Sequence, residues 1–123
     1  MGKVPDDVVA CLLNARSTQL TAPFGMAVNV DLVEVFRACG DEVRMKILEA
    51  LSIQPLCVQV IKEIVGEIQD SKLSYHLMVL KRSRLIRGER RGSWIIYSLT
   101  DLGRIVVDFA HEMEMRMDRP GEI

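Results

Sequence analysis

The most constraining stretch of this chain runs from residue 56 to residue 99, where the hydrophobic period changes from helical to alternating. Residues 56–65 read as one short helix that stops at Gly66, and Asp70 supplies an N-cap for a second. In that second helix Leu73, Leu77 and Leu80 form one apolar stripe, while Ser71, Lys72, Ser74, Tyr75 and Lys81 occupy the opposite face. Two β-prone runs follow at residues 85–87 and 94–99, with Gly88-Glu89-Arg90-Arg91-Gly92 supplying the turn of a hairpin with a basic tip. Two short helices joined by a tight turn, with a polar and basic exposed face on the second, fit a helix-turn-helix in a mainly α chain with one β-hairpin.

The flanks extend this unit with more helix. Pro5-Asp6-Asp7 opens an apolar stretch through Val8, Val9, Leu12 and Leu13, which predicts a first helix over residues 5–16. Residues 17–29, holding Pro23 and Gly25, have no sustained period and read as a linker. From Val30 the set Leu32, Val33, Val35 and Phe36 predicts a helix that ends near Gly40. Asp41 caps the next, with Val43, Ile47, Leu48 and Leu51 on one face before the Gln54-Pro55 break. Thr100-Asp101 starts a last helix carrying Leu102, Ile105, Val106, Phe109, Met113 and Met117. The expected organisation is therefore a helical arm and linker at 1–29, a winged helix-turn-helix unit at 30–100, and a C-terminal helix and tail at 101–123.

Charge points to the partner of the central unit. A net charge of −1 on 123 residues taken alone argues against a nucleic-acid binder. Residues 72–91, however, hold seven basic residues against Glu89 alone, a balance of +6 that leaves −7 for the rest. A basic window that coincides with a helix-turn-helix and its hairpin is the electrostatic footprint of a DNA-binding face. Ser71, Lys72, Ser74 and Tyr75, early in the second helix, are the candidates to read base edges. Lys81, Arg82, Arg84, Arg90 and Arg91 are candidates for phosphate or minor-groove contact, with Arg87 supporting the hairpin. His76 can face DNA, pack at the joint of the two helices, or bind metal.

Other classes find little support. No apolar run approaches the roughly 18 residues of a membrane span, and Met-Gly-Lys-Val-Pro-Asp-Asp lacks the pattern of a secretory signal, so a cytoplasmic protein without a membrane partner is expected. Two histidines, without a Ser/His/Asp or Gly-rich phosphate signature, offer little catalytic equipment, and no enzyme is expected. Cys11, Cys39 and Cys57 are widely spaced with no Cys-x-x-Cys and read as free thiols. Asp108, His111 and Glu112 share one helical turn, either as a hard-metal corner or as a solvated face. Met113 and Met117 suit interface packing better than a thioether copper site.

Three blocks together resemble a known family. They are Val35-Phe36-Arg37-Ala38-Cys39-Gly40-Asp41-Glu42-Val43-Arg44-Met45-Lys46-Ile47-Leu48, Leu73-Ser74-Tyr75-His76-Leu77-Met78-Val79-Leu80, and Gly92-Ser93-Trp94-Ile95-Ile96-Tyr97-Ser98-Leu99-Thr100. In order and spacing they resemble the ArsR/SmtB winged helix-turn-helix repressors. The resemblance implies a homodimer joined through its first and last helices, bound to a palindromic double-stranded operator and released by an effector such as a metal ion or arsenite. Departures are informative. Where sensing members carry Leu-Cys-Val-Cys, this chain has Leu56-Cys57-Val58-Gln59, retaining one thiol. The positions matching the family's C-terminal zinc site are Asp101, Gly103, Glu114 and Met117, with both histidines missing. The turn Gly66-Glu67-Ile68-Gln69-Asp70 reads one residue longer than usual. Cys57 with Cys11 from the arm is the remaining candidate site for arsenite or a soft metal ion. The rival expectations are a winged-helix protein-interaction module and an effector-independent or redox-responsive regulator.

Overall fold

The computed structural model describes residues 3–17 and 27–117. Its elements are α1 (Asp6–Ser17), α2 (Val30–Cys39), α3 (Glu42–Ile53), β1 (Leu56–Cys57), α4 (Val58–Val65), α5 (Asp70–Arg82), β2 (Ile86–Arg91), β3 (Trp94–Leu99) and α6 (Asp101–Met117). Helix starts follow capping chemistry. The Asn29 side chain accepts from the Leu32 amide, and the Asp41 carboxylate accepts from the Arg44 amide at 3.1 Å.

Three expectations are corrected. Leu56-Cys57 is not the start of α4 but a two-residue strand, with Leu56 opposite Tyr97 and Cys57 opposite Ile96. The extended backbone at Gln54, before Pro55, favours this outcome, and pairing with β3 satisfies polar groups a helix end would leave open. Asp70 is the first residue of α5, not its N-cap, which is Gln69. Its carboxylate is instead bound by the Lys62 ammonium, tying α4 to α5. The connection between them is therefore the four residues 66–69, of ordinary length, and turns at Gly66, where φ is +98°. Finally, residues 88–91 are strand rather than turn, since the ladder runs from Ile86↔Leu99 to Arg91↔Trp94. The reversal is the pair Gly92-Ser93, with Gly92 at φ +62°. Gly88 serves packing instead, because a Cβ there would sit 3.0 Å from the Tyr97 ring.

The sheet order is β1-β3-β2, antiparallel throughout. The core lies between its inner face and the helices. Ile47, Leu48 and Leu51 of α3, Ile61 of α4, Leu73, Leu77 and Leu80 of α5, Leu85, Ile86 and Tyr97 of the wing, and Val107 of α6 are all buried in one cluster. The leucine stripe of α5 is thus the surface that seats this helix, at about 1.5–3 kcal/mol per fully buried side chain.

α6 is fixed at its start. The Thr100 amide donates to the Leu85 carbonyl (3.1 Å), its hydroxyl donates to the Arg84 carbonyl (2.6 Å), and the same oxygen accepts from the Gly103 amide (3.0 Å). Gly103 lies so close to the chain entering the wing that a Cβ would come 2.1 Å from the Leu85 carbonyl oxygen. Gly103, Val107 and Ala110 form the buried edge of α6, while Leu102, Ile105, Phe109, Met113 and Met117 are exposed. On α1, Val8, Val9, Leu12 and Leu13 are exposed as well. Among the described residues no helix is long and apolar enough to cross a membrane.

Candidate nucleic-acid interface

With its leucines turned inward, α5 presents Ser71, Lys72, Ser74, Tyr75, Lys81 and Arg82 to the outside, all exposed. The helix ends in a Schellman arrangement, with the Leu85 amide on the Leu80 carbonyl and the Arg84 amide on the Lys81 carbonyl. This places Arg84 at φ +65°, the only left-handed non-glycine among the described residues. An arginine where glycine is the relaxed choice costs roughly 1 kcal/mol of backbone strain. Its guanidinium is exposed and 3.9 Å from the Asp31 carboxylate.

The wing extends the basic surface in two directions. Alternation along β2 puts Arg90 on the sheet face of Ile95 and Tyr97, and Arg91 on the opposite face with Arg87 and Glu89. Ile95 and Tyr97 also line a cleft of about 430 Å³ with Ser74, Met78, Lys81 and Arg82, so Arg90 lies on the α5 side of the wing. Arg91 reaches Glu89 at 3.6 Å, and Arg87 donates to the Ser98 hydroxyl at 3.4 Å, the hairpin-supporting contact expected of it.

His76 is the exception among the predicted DNA-facing residues. It is 4% exposed, turned inward beside Leu77, and so offers no atom to a groove. Its Nδ1 lies 3.0 Å from Nη1 of Arg44 and 3.9 Å from the Asp41 carboxylate. Burial lowers its pKa from the ordinary value, with Arg44 and Lys72 acting in the same direction against Asp41. Arg44 also donates to the carbonyls of Ala38 (2.7 Å) and Arg37 (3.3 Å), closing the C-terminus of α2. No local sequence pattern marks Arg44, because its partners lie 6, 7 and 32 residues away.

The effector candidates are dispersed. Cys57 is half-buried at the N-terminus of α4, where its side chain makes no capping bond, and Cys11 is exposed on α1. Cys39 is half-buried in α2, and burial pushes its thiol pKa up. Among the described residues no group of three or more His, Cys, Asp or Glu side chains is placed to hold a metal ion. His111 is engaged elsewhere, with Nε2 2.9 Å from both oxygens of Glu49 on α3. The close approach at Gly103 leaves no room for a ligating side chain at that position.

A helix-turn-helix whose second helix shows a polar, basic face, followed by a hairpin wing, defines a winged helix-turn-helix protein. The chain belongs to the ArsR/SmtB family of this class, and residues 33–110 match the family described as Domain of unknown function (DUF7347). It is 40% identical over 67 residues to the "Arsenical resistance operon repressor" of Bacillus subtilis, covering 54% of this chain and 63% of that protein. The matched region spans just under two thirds of the curated relatives, 63%, 65% and 66% in three of them. HlyU from Vibrio cholerae superimposes with a TM-score of 0.62 at 25% identity, over 68% of this chain and 91% of that one. The homodimeric winged helix-turn-helix DNA-binding domain Mb0332 from Mycobacterium bovis gives 0.62 at 20% identity, over 97% of both chains.

Proposed function

We propose that the chain is a homodimeric, sequence-specific DNA-binding repressor, cytoplasmic and released from its operator by a small effector. The observation that carries the reading is the coincidence of the +6 window with the exposed faces of α5 and β2. Ser71, Lys72, Ser74 and Tyr75 read base edges; Lys81, Arg82, Arg84, Arg90 and Arg91 hold phosphates. A second copy covers the apolar outer edge of α6 together with α1, and the two-fold axis sets two recognition helices against a palindromic site.

The test is a salt titration of duplex affinity, using the DNA upstream of the protein's own gene as probe. Affinity should fall linearly on logarithmic axes, and Arg90→Ala/Arg91→Ala should reduce the slope by about 2 without changing the preferred sequence. A wild-type protein that binds no duplex, or binds without salt dependence, overturns the reading in favour of a protein-interaction module.

The effector is a thiophilic ion, arsenite or a soft metal, held by Cys57 with Cys11. Support comes from the uncommitted Cys57 side chain at the first helix of the helix-turn-helix and from the arsenical relative. Cys57 and Cys11 give two sulfurs where three suit arsenite, so an arsenite site needs one further ligand. Release of the duplex by arsenite or cadmium should disappear in Cys57→Ser; release that persists unchanged overturns this assignment.

A further inference from the structure

His76 is a buried, titratable side chain on the recognition helix that the duplex contacts above do not use. Its surroundings dictate its protonation. Arg44 carries only donors, so the 3.0 Å contact requires Nδ1 to offer its lone pair and the ring proton to sit on Nε2. Nε2 is buried and has no hydrogen-bond partner, so the ring's one polar attachment is the bond to Arg44. Arg44 in turn grips the Ala38 and Arg37 carbonyls of α2, and its amide is held by Asp41. The chain of contacts joins the α2–α3 corner to the middle of α5.

We propose that the Arg44–His76 contact is a latch that fixes the pose of α5 for duplex recognition and holds only while His76 is neutral. The inference rests on the DNA-binding reading. Both act as positioning residues, since His76 is buried and the Arg44 guanidinium is spent on His76 and the α2 carbonyls. Protonation of Nδ1 sets one N–H against another at 3.0 Å and removes the only acceptor Arg44 has on α5. The charged groups facing the ring are Asp41, which caps α3, Arg44 of α3 and Lys72 of α5 itself; Tyr75 packs against its edge, with ring centroids 5.7 Å apart. Asp41 alone favours the imidazolium, from 3.9 Å, and its carboxylate is already taken by the Arg44 amide. Acidification below the ordinary histidine range therefore loosens α5 from the corner that orients it.

The experiment is fluorescence anisotropy at fixed ionic strength, with a labelled duplex from upstream of the protein's own gene and a scrambled duplex of equal length. The wild type should lose its preference for the upstream duplex about tenfold between about pH 7.5 and about pH 4.5, the size of one charge-assisted hydrogen bond. His76→Asn keeps an acceptor near the Nδ1 position and cannot titrate, so its preference should stay flat within about twofold across the same range. His76→Leu should show the reduced preference at both pH values while still unfolding cooperatively on heating. A His76→Asn protein that tracks the wild-type pH profile overturns the latch and leaves the DNA-binding reading standing. A wild type that binds neither duplex overturns that reading and the latch's role with it.

Discussion

α5 and α6 treat their hydrophobic residues in opposite ways. α5 buries Leu73, Leu77 and Leu80 and shows hydroxyls, Tyr75 and cations, whereas α6 buries small residues and leaves Ile105 at 50% and Phe109 at 64% exposed. An apolar edge of this kind is out of place on an isolated monomer, just as a concentrated basic face is out of place without an anion. On the proposed reading the contrast is between two partners, a polyanion at one helix and a second copy at the other. The net charge of −1 averages over both surfaces and describes neither.

The sharpest way to break the contrast is to charge the outer edge of α6. Ile105→Asp/Phe109→Asp should shift the protein from dimer to monomer at micromolar concentration in sedimentation velocity, a loss of at least about a hundredfold in association, since each change enters a two-fold interface twice. The salt slope of the residual duplex binding should reflect one half-site. A variant that remains a dimer refutes the assignment of this edge.

The buried edge of α6 is tested by Gly103→Ala. Its new methyl would meet the Leu85 carbonyl oxygen at 2.1 Å, a backbone atom that cannot swing aside, so α6 must lift from the wing. A loss of about 2–3 kcal/mol in urea-induced unfolding is expected, in the range of overpacking costs. A smaller effect, of about 0.5–1 kcal/mol and opposite sign, is expected for Arg84→Gly, which relieves the left-handed strain at the end of α5. The same variant should lower the salt slope of duplex binding by about 1, so that stability and affinity move apart. Stability and affinity falling together would place Arg84 in the packing rather than on the duplex face.

The fold was legible because its strongest signals are periodic. The leucines of α5 and the apolar edge of α6 are one-dimensional patterns, and each lies where its period placed it. What escaped depended on pairing across the chain. Whether residues 88–91 turn or ladder is decided by the left-handed Gly92 and by Tyr97 lying over Gly88, and Leu56-Cys57 became strand because β3 offered an edge. The exposed basic surface of α5 and β2 was legible as a charge window, but the burial of His76 was not, since one helical step separates the exposed face from the core. The inward orientation and the Arg44 bond are tertiary facts.

The two histidines carry the comparison to its finest scale, because the two regions shift them in opposite directions. On the exposed side of α6, the hydrogen bond and charge of Glu49 raise the pKa of His111, helped by Glu114 and Asp108. A histidine whose folded pKa is raised binds its proton more tightly in the native state. The stabilisation by this pair is therefore complete below the unfolded value of about 6.5 and is lost as pH rises through the raised folded value. At His76 the folded pKa is lowered, so its contribution is complete above about 6.5 and is lost as pH falls through the lowered value. Melting temperature against pH should separate them. Glu49→Gln should lower Tm near pH 6 and leave it unchanged near about pH 9, while His76→Asn should flatten only the acid limb. The His111 effect is the smallest of all these predictions because the pair is open to solvent and should weaken further with salt. Should Glu49→Gln act equally at both pH values, Glu49 contributes through packing, and the charge contrast between the two helices narrows to α5 alone.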